Sequence, residues 1–203
     1  VLALSRMGES IVPDLRHALE DSGVSADIRT QIPGVLAAIG GLQAREALLD
    51  NLMASEVAVR DTVVSGLARL HARNRELEVD RRVVEMAHTA EAVAHYRSFQ
   101  ILASLTSTFD EGDPVVQGVH EAIEHERERL LGLIAPLLSS MDRRSLASAL
   151  RSANGAVRAN ALELMDNVLS PELRQLVLPL LDSQVSDEAR VAGHLAPFGT
   201  DLL

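Results

Sequence analysis

Histidine and glutamate crowd one stretch of this chain, 119–129 (VHEAIEHERER), at spacings that could hold a metal ion. His120 with Glu124, and Glu121 with His125, are four residues apart. On a helix each pair shares a face and could clip a divalent cation. The two dipeptides His120-Glu121 and His125-Glu126 are five apart, which on a helix of about 3.6 residues per turn turns them about 140° away from each other. A second set, His88, Glu91 and His95, has its histidines seven apart on one helix face with the carboxylate between them. With help from a facing helix it could coordinate zinc. A solvated, salt-bridged surface explains the first set, and an exposed or helix-packing edge is the more common origin of the second. The expectation is therefore no metal and no cofactor, with His120, Glu121, Glu124 and His125 as the positions to watch.

Other chemistry has no sequence support. There is no Gly-x-Ser-x-Gly elbow, no His-Glu-x-x-His and no glycine-rich phosphate loop. Cysteine is absent, and all 19 basic residues are arginine. These 203 residues thus contain no thiol nucleophile or Cys-based zinc site, no phosphate-loop lysine and no Schiff-base amine. The chain is expected not to be an enzyme; a metal-dependent enzyme on the His120–Glu126 helix is the alternative.

The elements that would position these residues follow from a short recurring signature. Ile28-Arg29, Val59-Arg60, Val157-Arg158 and Ala189-Arg190 each open a stretch of helical apolar spacing. The first two arginines are 31 residues apart and the last two 32; Arg60 and Arg158 are 98 apart, close to three more periods. After Arg29 come Ile32, Leu36 and Ile39, after Arg60 Val63, Leu67 and Leu70, and after Arg158 Ala161, Met165 and Val168. Offsets of +3, +7 and +10 trace one stripe of an α-helix. A second apolar helix precedes each arginine. A period in this range marks stacked helix pairs with a continuous core. The fourth copy is degenerate, since Val191 to Phe198 contains Gly193, His194 and Pro197.

On this turn-(Val/Ile)-Arg-helix signature, the chain resembles HEAT repeats, the two-helix units of α-solenoids, over roughly 8–74 and 141–192. The resemblance implies an all-α, HEAT-like solenoid in which Arg29, Arg60, Arg158 and Arg190 tie a turn carbonyl or an Asp/Asn of the neighbouring repeat; Asp21, Asp27, Asn51, Asn154 and Asp182 are the acceptors at hand. The segment 149–167 (ALRSANGAVRANALELMDN), with the two long helices before it, also resembles the soluble HEAT region attached to bacterial major-facilitator transporters of the nucleotide-translocase type. That likeness implies a cytoplasmic regulatory domain fused to a membrane transporter. Within the family, His-Glu dipeptides hold the iron pair of deoxyhypusine hydroxylases, but on separate repeats, whereas both pairs here fall on one helix.

The middle third breaks the repeat. Asp80 to Phe109 reads as one long helix, with Val83, Met86, Ala90, Val93, Ile101, Leu105 and Phe109 near an inward face. Asp113 is a suitable N-cap and Pro114 a suitable first residue for the next helix, which runs toward Ser139 until Pro136 kinks or closes it. Its inward residues are Val116, Val119, Ile123, Leu130, Leu133, Ile134 and Leu137. The organisation expected is one α-solenoid domain, with repeats at 1–74 and 141–203 and a long antiparallel helical hairpin at 75–140.

Composition fits this reading. Only 2% of residues are aromatic, so the core must be aliphatic, which suits close helix pairs better than strands. No run of 18 apolar residues occurs, and no signal-peptide core opens the chain. Val1 to Leu4 reads as the tail of a helix, so the chain is expected to be part of a longer protein or a mature chain with its first residues missing. The net charge is −10, and residues 75–140, with 6 Arg against 12 acids, carry −6 of it. Such a surface repels nucleic-acid backbones and the basic concave face of HEAT-type DNA glycosylases is missing. The function expected is a cytoplasmic protein-interaction scaffold with a basic partner protein, at the inner membrane face if a transporter is attached.

Overall fold

The computed structural model describes residues 2–138 and 143–193, and among them every regular element is a helix and there is no strand. The chain is all-α. It packs as two compact units: residues 1–87 with 132–143, and residues 88–131 with 144–203.

The first unit begins with α1 (Leu2–Ser5), a 3₁₀ turn at 8–11 and α2 (Val12–Glu20). Next come α3 (Ala26–Arg29), α4 (Ile32–Ile39), α5 (Gly41–Asp50) and α6 (Val57–Arg73). The helix that opens at the first arginine is broken between α3 and α4. Pro33 has no N–H to offer the Arg29 carbonyl, which interrupts the ladder. Thr30 (φ −65°, ψ −20°) and Gln31 (φ −84°, ψ −25°) nevertheless stay in the right-handed region. The stripe therefore stays in phase: Ile32 and Leu36 are buried. Two successive glycines with positive φ, Gly40 (79°) and Gly41 (83°), make the tight turn into α5, a conformation costly for any other residue. Helix α4 packs on α6, and Leu36, Leu48, Val63, Leu67 and Leu133 belong to the resulting aliphatic core.

Helices α7 (Arg81–Thr106) and α8 (Pro114–Ile134) run for 26 and 21 residues without interruption. Asp113 caps α8 by accepting a hydrogen bond from the Val115 N–H at 2.8 Å, and Pro114 takes its first position. A 3₁₀ turn at Ala135–Leu137, containing Pro136, closes it. The second unit adds α9 (Arg143–Leu150), α10 (Gly155–Val168), α11 (Pro171–Leu181) and α12 (Asp187–Gly193) to the parts of α7 and α8 it contains. Asn154 caps α10 through the Ala156 N–H at 3.0 Å. Helix α10 packs on α11, with Ala161, Met165, Leu173, Leu176 and Val177 inside. Residues 194–198 of the degenerate fourth copy, and positions 141 and 142 at the start of the C-terminal repeats, lie outside the described residues.

One expectation about α7 is wrong. Met86 is 62% exposed, Ile101 52% and Phe109 44%, although all three were placed on the inward stripe. The buried face is the neighbouring one, with Val84, Ala87, His88, Glu91, Ala92, His95, Tyr96, Phe99 and Leu102. Two of the chain's few aromatic rings, Tyr96 and Phe99, lie on it, and the large area they bury settles which way the helix faces. The Tyr96 hydroxyl donates to the Leu176 carbonyl at 3.0 Å, so even its polar end is satisfied inside.

Candidate functional site

Turning that face inward buries a row of titratable groups. His88, Glu91 and His95 recur every three to four residues along α7, and each is at least nine-tenths buried. Burying such groups is costly unless each finds a partner. Helix α8 supplies two. The Arg129 Nε–H donates to Glu91 Oε2 at 2.7 Å, and both side chains are buried. His95 Nδ1 lies 2.9 Å from Glu126 Oε2, while the Ser98 hydroxyl donates to Glu126 Oε1 at 2.9 Å.

The state of Glu126 fixes the donor in its pair with His95. Burial pushes the Glu126 carboxyl up. The hydrogen bonds from His95 and Ser98, with the positive fields of His95 and Arg129, prevail and hold it below the ordinary carboxylate range. The carboxylate is ionised and can only accept, so His95 Nδ1–H is the donor. Its other nitrogen, Nε2, is buried without a partner among the described residues. His88 is the exception in the row. It is wholly buried, neither ring nitrogen has a partner among the described residues, and burial lowers its pKa to about 3. It is a neutral ring.

His95 also lines a cleft of about 310 Å³ in the second unit. Helices α7 and α8 contribute His95, Phe99, His120, Ile123, Glu124 and Arg127; Leu180 and Arg190 stand among the remaining wall residues. The two arginines differ. Arg190 is held on every side: Nε donates to the Pro179 carbonyl (3.1 Å), Nη2 to the Asp182 carbonyl (2.9 Å) and Nη1 to Asp187 (2.6 Å). Its guanidinium carbon lies 5.1 Å from the Phe99 ring centre. Arg127 is only 15% exposed, yet its contact is with Glu124 at 3.7 Å, beyond hydrogen-bond reach. Burial lowers its pKa; Glu124 opposes this, and the positive Arg151 and Arg190 add to it.

The candidate metal residues separate. His120 and Glu124 reach the cleft, whereas Glu121 and His125 are exposed and do not line it. Of the α7 set, His95 is engaged by Glu126 and Glu91 by Arg129. Among the described residues no group of three or more His, Asp or Glu is placed to share a metal ion. Sequence reasoning missed Arg127, Arg129 and Ser98. Tyr96 and Phe99 were the available signal, because rare aromatics three apart mark the buried face and the polar residues in phase with them.

The four recurring arginines share one local role. Arg29 Nε donates to the Val24 carbonyl at 2.9 Å, and its Nη2 pairs with Glu56. Arg60 Nη1 donates to the carbonyls of Ala54 (2.7 Å) and Ser55 (3.0 Å), and Arg158 Nη1 to that of Ser152 (3.1 Å). Each, like Arg190, clips the loop that leads into its own helix. Three acceptors named from the sequence are already engaged by their own turns. Asp21 accepts from the Gly23 N–H (2.8 Å), Asp182 from the Gln184 N–H (3.0 Å) and Asn154 from Ala156. The first and fourth loops even share a longer pattern, Asp-Ser-x-Val-Ser-x-x-x-Arg at 21–29 and 182–190. No protein-family model, curated protein or solved structure matches the chain.

Proposed function

We propose that the chain is a HEAT-like α-solenoid module, with α7 and α8 as a long antiparallel hairpin set into the repeats, and that it works as a non-enzymatic scaffold for a partner protein. The common clip made by Arg29, Arg60, Arg158 and Arg190 supports the repeat reading, since four loops of similar length are closed in the same way. The pairing of Glu91 with Arg129 and of His95 with Glu126 runs in opposite chain directions, which supports the hairpin.

The observation that carries the interaction reading is the outward face of α7. Ala90 and Ile101 stand there in the open on the part of the helix that belongs to the second unit. Exposed apolar side chains in register on a rigid element are the usual anchors of a recognition surface. On α8 the exposed Glu121 adds negative charge suited to a basic rim on the partner, whereas Glu128 is bonded to Arg151 at 2.8 Å.

The test is capture from a lysate of the source organism by the parent chain, by Ile101→Glu and by Glu121→Gln. Ile101→Glu should lose the partner, and Glu121→Gln should retain it with a weaker salt dependence. Equal capture by the parent and Ile101→Glu would overturn the reading.

A further inference from the structure

We propose that the cleft beside His95 binds a small zwitterion, a molecule with one carboxylate and one amine on a short apolar body. The inference is independent of the scaffold reading and rests on two unmet demands in one cavity. Its volume of about 310 Å³ falls at the lower end of the range, about 300–1,000 Å³, that small-molecule sites occupy.

The first demand is that of Arg127. Its guanidinium has five N–H donors in a planar fork. The side chain is largely buried, and Glu124 stays 3.7 Å away. A carboxylate is the group that meets such a fork, through two parallel hydrogen bonds. Arg190 makes no such demand, because carbonyls and Asp187 already take its donors; it serves as wall, stacked on Phe99.

The second demand is that of His95. Nδ1 faces Glu126, and Nε2 is buried and without a partner among the described residues. A buried ring nitrogen in that position calls for a polar group on the ligand. An amine answers the carboxylates of Glu124 and Asp187 on the same wall, which would repel a simple anion such as phosphate. The charges of Arg127 and Arg190 balance those of Glu124 and Asp187, so a ligand carrying both signs fits better than one carrying either. Phe99, Ile123 and Leu180 offer the apolar surface for the remainder of the molecule.

The experiment is calorimetric titration of the full chain with glycine, valine, leucine and methionine, and with two truncated probes, 3-methylbutylamine and 4-methylpentanoate. At least one amino acid should saturate the protein, with leucine binding tenfold or more tighter than either truncated probe. Arg127→Gln should weaken binding at least tenfold, and His125→Gln, exposed on the same helix outside the cleft, should leave it unchanged. Nitrogen-15 spectra of the parent protein give a reading that needs no variant to fold: the bound ligand should shift the His95 Nε2 resonance. Saturation by none of the four amino acids would overturn the proposal. So would equal affinity for leucine and 4-methylpentanoate, or an unmoved His95 resonance on binding.

Discussion

The two units solve the same packing problem with different materials. In the first, the centre is aliphatic: Leu36, Leu48, Val63, Leu67 and Leu133 belong to one buried cluster. Its buried polar residues are Arg29, which ties a turn, and Asn51, which donates to the Ala47 carbonyl one turn back at 2.9 Å. In the second, the central helix brings His88, Glu91 and His95 inside together. A dry core depends on shape, because dispersion contacts are short-ranged and voids are felt at once. A polar core depends on inventory, because each buried donor or acceptor must be matched. The two should therefore fail differently under mutation.

The largest effect should come from splitting the buried ion pair. Arg129→Met leaves the Glu91 carboxylate buried without its guanidinium, a change that costs roughly 3–5 kcal/mol. Adding Glu91→Leu removes the buried carboxylate as well and should recover most of the loss, since well-packed apolar replacements of buried pairs are often neutral or stabilising. Urea denaturation of the two variants and the parent decides the point. If the double variant is as weak as the single one, then shape rather than charge matching limits the second unit too, and the contrast fails.

The reverse test belongs to the first unit. Gly66 sits in α6, where a Cβ would meet the Pro33 carbonyl oxygen at 2.9 Å, Pro33 Cβ at 3.1 Å and Leu48 Cδ2 at 3.2 Å. Alanine gains about 1 kcal/mol of helix propensity over glycine. Overpacking against a backbone atom of the neighbouring helix should outweigh that, leaving Gly66→Ala destabilised by roughly 1–2 kcal/mol. A variant that melts above the parent would show that α4 and α6 can separate without penalty.

The same contrast governs what could be read from the sequence. Aliphatic stripes were legible: the +3 and +7 positions after Arg29, Arg60 and Arg158 are all buried, because hydrophobic periodicity and burial have the same cause. The cap at Asp113 and the closure at Pro136 were legible for similar local reasons. The face of α7 was not. Periodicity favoured Met86, Ala90 and Ile101, and only the pairings with Arg129 and Glu126, 38 and 31 residues away, make burial of Glu91 and His95 tolerable. A pattern confined to one helix cannot report a partner on another. The cleft was hidden for the same reason, since its walls come from α7, α8, α11 and α12.

The last test, of an effect no larger, sharpens the contrast most, because it isolates the member of the polar row that has no match at either ring nitrogen among the described residues. His88 has an ordinary pKa of 6.5, and burial lowers it to about 3 in the fold. Between those values the unfolded chain binds a proton that the folded chain refuses. Stability from this group is therefore complete above 6.5 and falls as pH drops toward 3. Glu126 acts in a lower window: its folded pKa is depressed below 4.5, so its contribution is present above that value and is lost on further acidification. Between pH 7 and pH 5 the slope belongs to His88 and not to Glu126. His88→Leu removes the proton-binding group and both unpartnered nitrogens while keeping the site apolar. Relative to the parent, the variant should gain roughly 1–2 kcal/mol on going from pH 7 to pH 5, as read from urea midpoints at each pH. Parallel pH profiles for the two proteins would mean that His88 takes up its proton inside the fold, and that its burial carries no cost that a proton can reveal.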